Sequence, residues 1–164
     1  MKKILLIEDN EDIRENMREI IELANYKVLT AQDGKQGIEL AVKNKPDIIV
    51  CDIMMPVLDG YGVIHMLQKN EGTRNIPFIF LTAKAERAEI RKGMELGADD
   101  YITKPFNGTE LLNAIESRIR KADILKQDIT PGLAGLNQII NAAGGKDLLK
   151  ELAQDRTINK YKKK

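Results

Sequence analysis

Asp52 is a lone carboxylate at the end of an apolar run, Ile48, Ile49, Val50 and Cys51, and Pro56 stops the chain shortly after it. A continuous, mostly β-branched run of this length suits a strand buried on both faces, as in a parallel sheet covered by helices. An aspartate at its carboxyl end stands where open α/β sheets place their active sites. The plainer alternative is a residue that only caps the following turn, a common use of aspartate. A second apolar run, residues 4–7, delivers Glu8 and Asp9 in the same way, a third, residues 76–81, ends on Thr82, and Lys104 follows the short pair Tyr101 and Ile102. Three carboxylates brought together repel one another, so they either raise their own pKa values or hold a cation. Oxygen donors without histidine or cysteine favour Mg²⁺, which keeps some of its water and binds phosphoryl oxygens alongside one or two carboxylates. With Lys104 as a point positive charge and Thr82 as a hydroxyl donor, such a cluster can offset the charge on a phosphoryl group in transfer. Asp52 would then be the nucleophile and an aspartyl phosphate the product.

The elements between these residues must bring them together. Residues 12–24 read as a helix, with Ile13, Met17, Ile20, Ile21 and Ala24 at three- and four-residue spacings. Residues 26–30 form a short strand, Asp33-Gly34 a turn, residues 36–43 a helix, and Pro46 closes it. Asp59-Gly60 leads into a helix over residues 61–68, and a charged helix over 86–96 is interrupted by Gly93 and capped by Gly97. A last helix covers residues 109–121, with Leu111, Leu112, Ile115 and Ile119 on its buried face. Strand then helix, five times over, predicts a doubly wound α/β fold with a five-stranded parallel sheet. Every strand's carboxyl end lies on one edge of such a sheet. Glu8, Asp9, Asp52, Thr82 and Lys104 are therefore expected on the same rim.

The length of 164 residues allows one domain and an appendage. Cys51 is the single cysteine and lies inside a proposed buried strand, so it neither pairs within the chain nor builds a multi-cysteine metal site, which fits a reducing cytoplasm. Lys2 and Lys3 precede an apolar run of four residues, too short for a signal peptide, and no segment is long enough to span a membrane. The net charge of +1 is unevenly spread: residues 1–124 carry 18 basic and 21 acidic side chains, a net of −3, and residues 125–164 carry 8 and 4, a net of +4. The tail is compositionally distinct.

Taken together, residues 4–121 resemble the receiver domain of bacterial two-component response regulators. The acidic pair corresponds to Glu8 and Asp9, the phosphoacceptor to Asp52, the hydroxyl switch residue to Thr82, the aromatic switch residue to Tyr101 and the phosphate-binding lysine to Lys104. The spacings agree, 30 residues from Asp52 to Thr82 and 22 from Thr82 to Lys104, and Gly97-Ala98-Asp99-Asp100-Tyr101 followed by Lys104-Pro105-Phe106 is among the most specific stretches. The resemblance implies the flavodoxin-like (βα)5 receiver fold. It also implies Mg²⁺ held by Asp9, Asp52 and the Met54 backbone carbonyl, with Glu8 acting through a water, and a cis Lys104-Pro105 bond. The implied phosphoryl donor is a phosphohistidine on a sensor histidine kinase or phosphotransfer protein. On this reading the chain is no enzyme beyond its own phosphorylation and dephosphorylation. Thr82 turns inward toward the phosphoryl group, Tyr101 follows, and the face of the fourth helix, fifth strand and fifth helix rearranges toward a homodimer. Ala114 and Glu116 stand where basic residues are common in the branch best known for that dimer. Met54 and Lys84 are implied to flank the water that hydrolyses the phosphoryl group.

Two other readings compete. An aspartate-nucleophile phosphohydrolase usually needs a second aspartate two residues after the nucleophile, and Met54 holds that place. A scaffold receiver that works without phosphorylation would be expected to lose the acidic pair or the lysine, and all are present. The only histidine, His65, is expected on a solvent-facing helix side, as are Arg87, Arg91 and Lys92, and the methionines read as core filler and turn residues.

The expected division is a receiver over residues 1–123 and a helical linker over 124–164. Residues 128–131 are expected to break the last helix. Leu133, Leu136, Ile139 and Ile140 then give one short amphipathic helix, Gly144-Gly145 a stop, and residues 147–153 another. Residues 148–164 resemble the lead-in to a cyclic-nucleotide-binding domain of the catabolite-activator kind. The expectation is an output domain beyond the chain, with any DNA contact made there; the alternative is a stand-alone receiver with a docked tail.

Overall fold

The computed structural model describes residues 1–83 and 87–142, with side chains for 1–83 and 88–126. Among the described residues five strands and five helices alternate: β1 (Lys3–Ile7), α1 (Glu11–Leu23), β2 (Lys27–Ala31), α2 (Gly34–Asn44), β3 (Ile48–Asp52), α3 (Gly60–Gln68), β4 (Phe78–Thr82), α4 (Arg87–Glu95), β5 (Asp100–Thr103) and α5 (Gly108–Ala142). The strands form one parallel sheet in the order β2-β1-β3-β4-β5. This is the expected doubly wound, flavodoxin-like sheet. The chain divides into two units, Met1–Ile119 and Arg120–Lys164.

Strand alternation sorts the core into two layers, because successive side chains point to opposite faces. Leu5, Ile7, Ile49, Cys51, Phe78 and Phe80 face one side with Ala41 of α2 and Val63, Ile64 and Leu67 of α3. Ile4, Leu6, Ile48, Val50, Ile79 and Leu81 face the other with Met17 and Ile21 of α1 and Leu111, Ile115 and Ile119 of α5. That is why β1, β3 and β4 read as unbroken apolar runs: each is covered on both faces.

The helices begin at the rim where the strands end, and the starts of α1, α2 and α3 are each fixed by a side chain. Asn10 accepts the Ile13 N–H (3.0 Å), Asp33 the Gln36 N–H (2.7 Å) and Asp59 the Gly62 N–H (2.8 Å), the N-cap pattern that satisfies a helix's unpaired first-turn donors. Gly60 allows α3 to start directly against the site: a Cβ there would lie 2.6 Å from the Asp52 carbonyl oxygen.

One expected boundary is wrong. The last helix was to break over residues 128–131, but α5 runs through Pro131 to Ala142. Proline removes one N–H and crowds one carbonyl a turn earlier, a local cost. The helix formers on either side, among them Leu125, Lys126, Gln127, Leu133 and Ala134, carry the backbone past it. Lys84, residue 86 and the elements expected over residues 144–164 lie outside the described residues, as do the side chains of Arg87, Leu133, Leu136, Ile139 and Ile140.

Candidate functional site

Ile7 pairs with Cys51 in the β1–β3 ladder, so the next residues, Glu8 and Asp52, emerge side by side. The chain runs outward from β1 to β2 and returns across it to β3, which makes this strand pair the point where the winding reverses. Open α/β sheets bind ligands in the crevice at that point. The expected residues do meet there. Glu8, Asp9 and Asp52 each offer a carboxylate oxygen within 4.8 Å of the others. Glu8 and Asp52 are buried, while Asp9 is exposed at the mouth.

Lys104 closes the pocket from the far end of the sheet. Its backbone N–H donates to the Thr82 carbonyl (2.7 Å), which anchors the β5 end to β4. Its Nζ lies 3.0 Å from Glu8 Oε1 and 3.3 Å from Asp52 Oδ1. The Lys104-Pro105 peptide bond is cis. Thr82 is buried at the end of β4, and it shares a small cavity with Tyr101, whose side chain is 39% exposed. Met54, two residues beyond Asp52, exposes 62% of its surface.

The electrostatics match the geometry. Burial, then the neighbouring Asp52 charge, push the Glu8 carboxyl up to about 7, against the opposing pull of Lys104 and of the Asn10 N–H that donates to its Oε2 (3.2 Å). Burial works against the charged form of Lys104, yet the hydrogen bond to Glu8 and the charge of Asp52 leave its ammonium above the ordinary value. Among the described residues, Glu8 and Asp52 thus share the Lys104 ammonium while Asp9 stands beside them without a described ion pair, an arrangement short of positive charge. The donor set is all oxygen: Cys51 is wholly buried and His65 is exposed on α3. Hard-ion chemistry of the Mg²⁺ type fits these residues, with Glu8, Asp9 and Asp52 as the holders.

Two supports had no clear signal in the sequence. The Arg14 guanidinium donates to the Glu8 carbonyl (2.8 Å), bracing the loop that carries the acidic pair. Lys92 is exposed as expected, and its ammonium also stands over the Tyr61 ring at 4.4 Å.

The model of the response regulator receiver domain matches residues 4–116. The chain belongs to that family. Among curated relatives, it is 37% identical over 139 residues to a probable transcriptional regulator, ycf27, of Guillardia theta, covering 83% of this chain and 54% of that protein. It is 39% identical over 127 residues to the DNA-binding dual master transcriptional regulator RpaA of Synechocystis, covering 77% and 53%. The receiver domain thus spans about half the length of the curated relatives it matches. Among solved structures, the receiver domain of sensor histidine kinase PA1611 of Pseudomonas aeruginosa, with a magnesium ion coordinated in its active site cleft, superposes with a TM-score of 0.68 at 32% identity, covering 72% of this chain and 97% of that one. No helix among the described residues is long and apolar enough to cross a membrane.

Proposed function

We propose that this receiver accepts a phosphoryl group on Asp52 from a phosphohistidine of a sensor histidine kinase or phosphotransfer protein. The observation that carries the reading is Asp52 itself, a buried carboxylate at the sheet's reversal point, 3.3 Å from Lys104 and grouped with Glu8 and Asp9. In the forward step an Asp52 carboxylate oxygen attacks phosphorus, the phosphorus–nitrogen bond breaks, and its electron pair returns to the imidazole. In the reverse direction of the signal, water attacks phosphorus and releases inorganic phosphate and the free carboxylate. Asp9, Asp52 and the Met54 carbonyl, with Glu8 through a water, would hold Mg²⁺, which would supply positive charge for the phosphoryl oxygens. Lys104 supplies the second positive charge, and its contact with Asp52 orients the nucleophile.

Phosphorylation adds about −1.5 to −2 charges and three acceptor oxygens at Asp52, which favours an inward Thr82 hydroxyl and then an inward Tyr101. Couplings between sites are typically about 1–3 kcal/mol, whereas driving a two-state equilibrium from 1:99 to 99:1 takes about 5.5 kcal/mol. Self-association through α4, β5 and the first half of α5 supplies the remainder. Residues 124–164 act as a linker in this reading, and any DNA contact belongs to an output domain like those of the transcriptional regulators above. A cytoplasmic location goes with it.

The test is incubation with Mg²⁺ and acetyl phosphate, followed by intact mass and size-exclusion analysis of the wild type and Asp52→Ala. One added phosphoryl group in the wild type alone supports the reading, and a shift to dimer on dilution-resistant terms supports the self-association. Absence of any mass gain in a folded wild type favours a scaffold receiver that works without phosphorylation.

A further inference from the structure

Tyr61, in the first turn of α3, is fastened to α4 at two positions. Its hydroxyl donates to the Glu89 carboxylate (2.6 Å) and lies 3.2 Å from the Glu89 carbonyl oxygen. The Lys92 ammonium, one turn further along α4, covers its ring, and the ring meets Phe80 edge-on at 5.4 Å between centroids. Burial and then the hydrogen bond to Glu89 hold the Tyr61 phenol far above its ordinary pKa, so it remains a proton donor.

Glu89 also has a second face. The cavity between α4 and the sheet is bounded by Thr82, Tyr101 and Glu89 together with apolar Ile53, Ile90 and Met94, and Glu89 is the single charged side chain in that lining among the described residues. A carboxylate accepts about four hydrogen bonds, so Tyr61 leaves capacity over. A phenol moving from water into this mostly apolar cavity needs an acceptor there, because an unmet hydroxyl is costly to bury, and with the Thr82 hydroxyl turned to the phosphoryl group the Glu89 carboxylate is the acceptor left in the lining. Tyr101 borders this cavity from an exposed position.

We propose that Glu89 receives the Tyr101 hydroxyl when that ring turns inward, and that Tyr61 holds the carboxylate in place for it, so that α3, α4 and β5 share one switch. The proposal deepens the phosphoryl-acceptor reading and rests on it. Glu89 is a positioning residue here: it acts on the signal and leaves the chemistry at Asp52 unchanged.

The test uses the full chain labelled with 3-fluorotyrosine, with the Tyr101 resonance assigned from Tyr101→Phe. Fluorine spectra are recorded with Mg²⁺ before and after acetyl phosphate, and intact mass is followed in parallel. Wild type, Glu89→Leu, Glu89→Gln and Tyr61→Phe are expected to gain the phosphoryl group alike. The inward-to-outward ratio of Tyr101 is expected to fall about fivefold in Glu89→Leu, the worth of one hydrogen bond. Glu89→Gln keeps an oxygen acceptor and recovers most of it, which separates a lost acceptor from a damaged helix. Tyr61→Phe shows an intermediate loss. Equal inward populations in wild type and Glu89→Leu overturn the proposal, as does a phosphorylated wild type whose Tyr101 resonance does not move. A wild type that gains no mass overturns the phosphoryl-acceptor reading itself, and the mass trace distinguishes that failure from the other two.

Discussion

The Lys104 ammonium stands 3.0 Å from a Glu8 carboxylate that is 1% exposed, while the lysine itself is 21% exposed. One cation on the mouth side therefore neutralises a charge at the bottom of the pocket. Lys104→Met removes it and leaves two buried carboxylates facing each other, at a cost of about 1–3 kcal/mol. Without Mg²⁺ the variant is expected to melt below the wild type, and saturating Mg²⁺ is expected to recover more stability in the variant than it adds to the wild type. Identical melts with and without the ion would contradict this.

Asp9 is the exposed member of the acidic group and adds repulsion without a described ion-pair partner. Asp9→Ala is expected to leave metal-free stability unchanged or slightly higher, while removing the stabilisation by Mg²⁺, which for a ligand at a hundred times its Kd is about 2.7 kcal/mol. Thermal melts over an Mg²⁺ titration check this.

Gly93 lets α4 lie directly on the sheet, since a Cβ there would come within 2.8 Å of the Phe80 ring. Alanine gains about 1 kcal/mol of helix propensity, but overpacking costs about 1–3 kcal/mol. Gly93→Ala is expected to be destabilised in urea and to shift the fluorine signal of Tyr101, because α4 must lift. A stabilised variant with an unchanged signal would show that the ring gives way instead.

Val57 has φ of +71° and is fully exposed, and the Leu58 N–H donates to the Pro56 carbonyl across it (2.7 Å). This is a tight turn of the strained γ kind carried by a β-branched residue. Val57→Gly is expected to raise stability by about 1 kcal/mol, the left-handed cost less the chain entropy that glycine adds. The midpoint of a denaturant curve measures it.

Met54 presents an apolar side chain two residues beyond Asp52, largely in solvent. An amide there can hold the attacking water by a hydrogen bond of about 1 kcal/mol, roughly fivefold in rate. Met54→Asn is expected to shorten the phosphoryl lifetime to that degree, followed by loss of the added mass after the phosphodonor is removed.

The central strands were legible because β1, β3 and β4 are covered on both faces, which leaves only apolar residues until the carboxylate or hydroxyl at the rim. Glu8, Asp52 and Thr82 could be placed for the same reason: a strand's end is marked by where its apolar run stops. What could not be read was contact between helices. Tyr61 and Glu89 are 28 residues apart, and no local pattern announces their hydrogen bond. Lys92 looked like any charge on a solvated helix face, because periodicity says which way a side chain leaves a helix and nothing of what stands beside it. At Pro131 the helix formers on either side outweigh the local cost of proline, which a residue-by-residue rule does not weigh.

The strand register governs how the molecule breathes. Glu8 and Asp52 extend from strands in the interior of the sheet, so they part only when the sheet itself opens, and their backbone amides should exchange hydrogen at the rate set by global unfolding. Tyr101 belongs to a four-residue edge strand paired on one side only. Its neighbourhood can open alone and often. In the proposed function, phosphoryl chemistry would thus sit in the slowest-opening part of the domain and signalling in one of the fastest, so that the receiver could flicker between signalling states without loosening its grip on the reacting group.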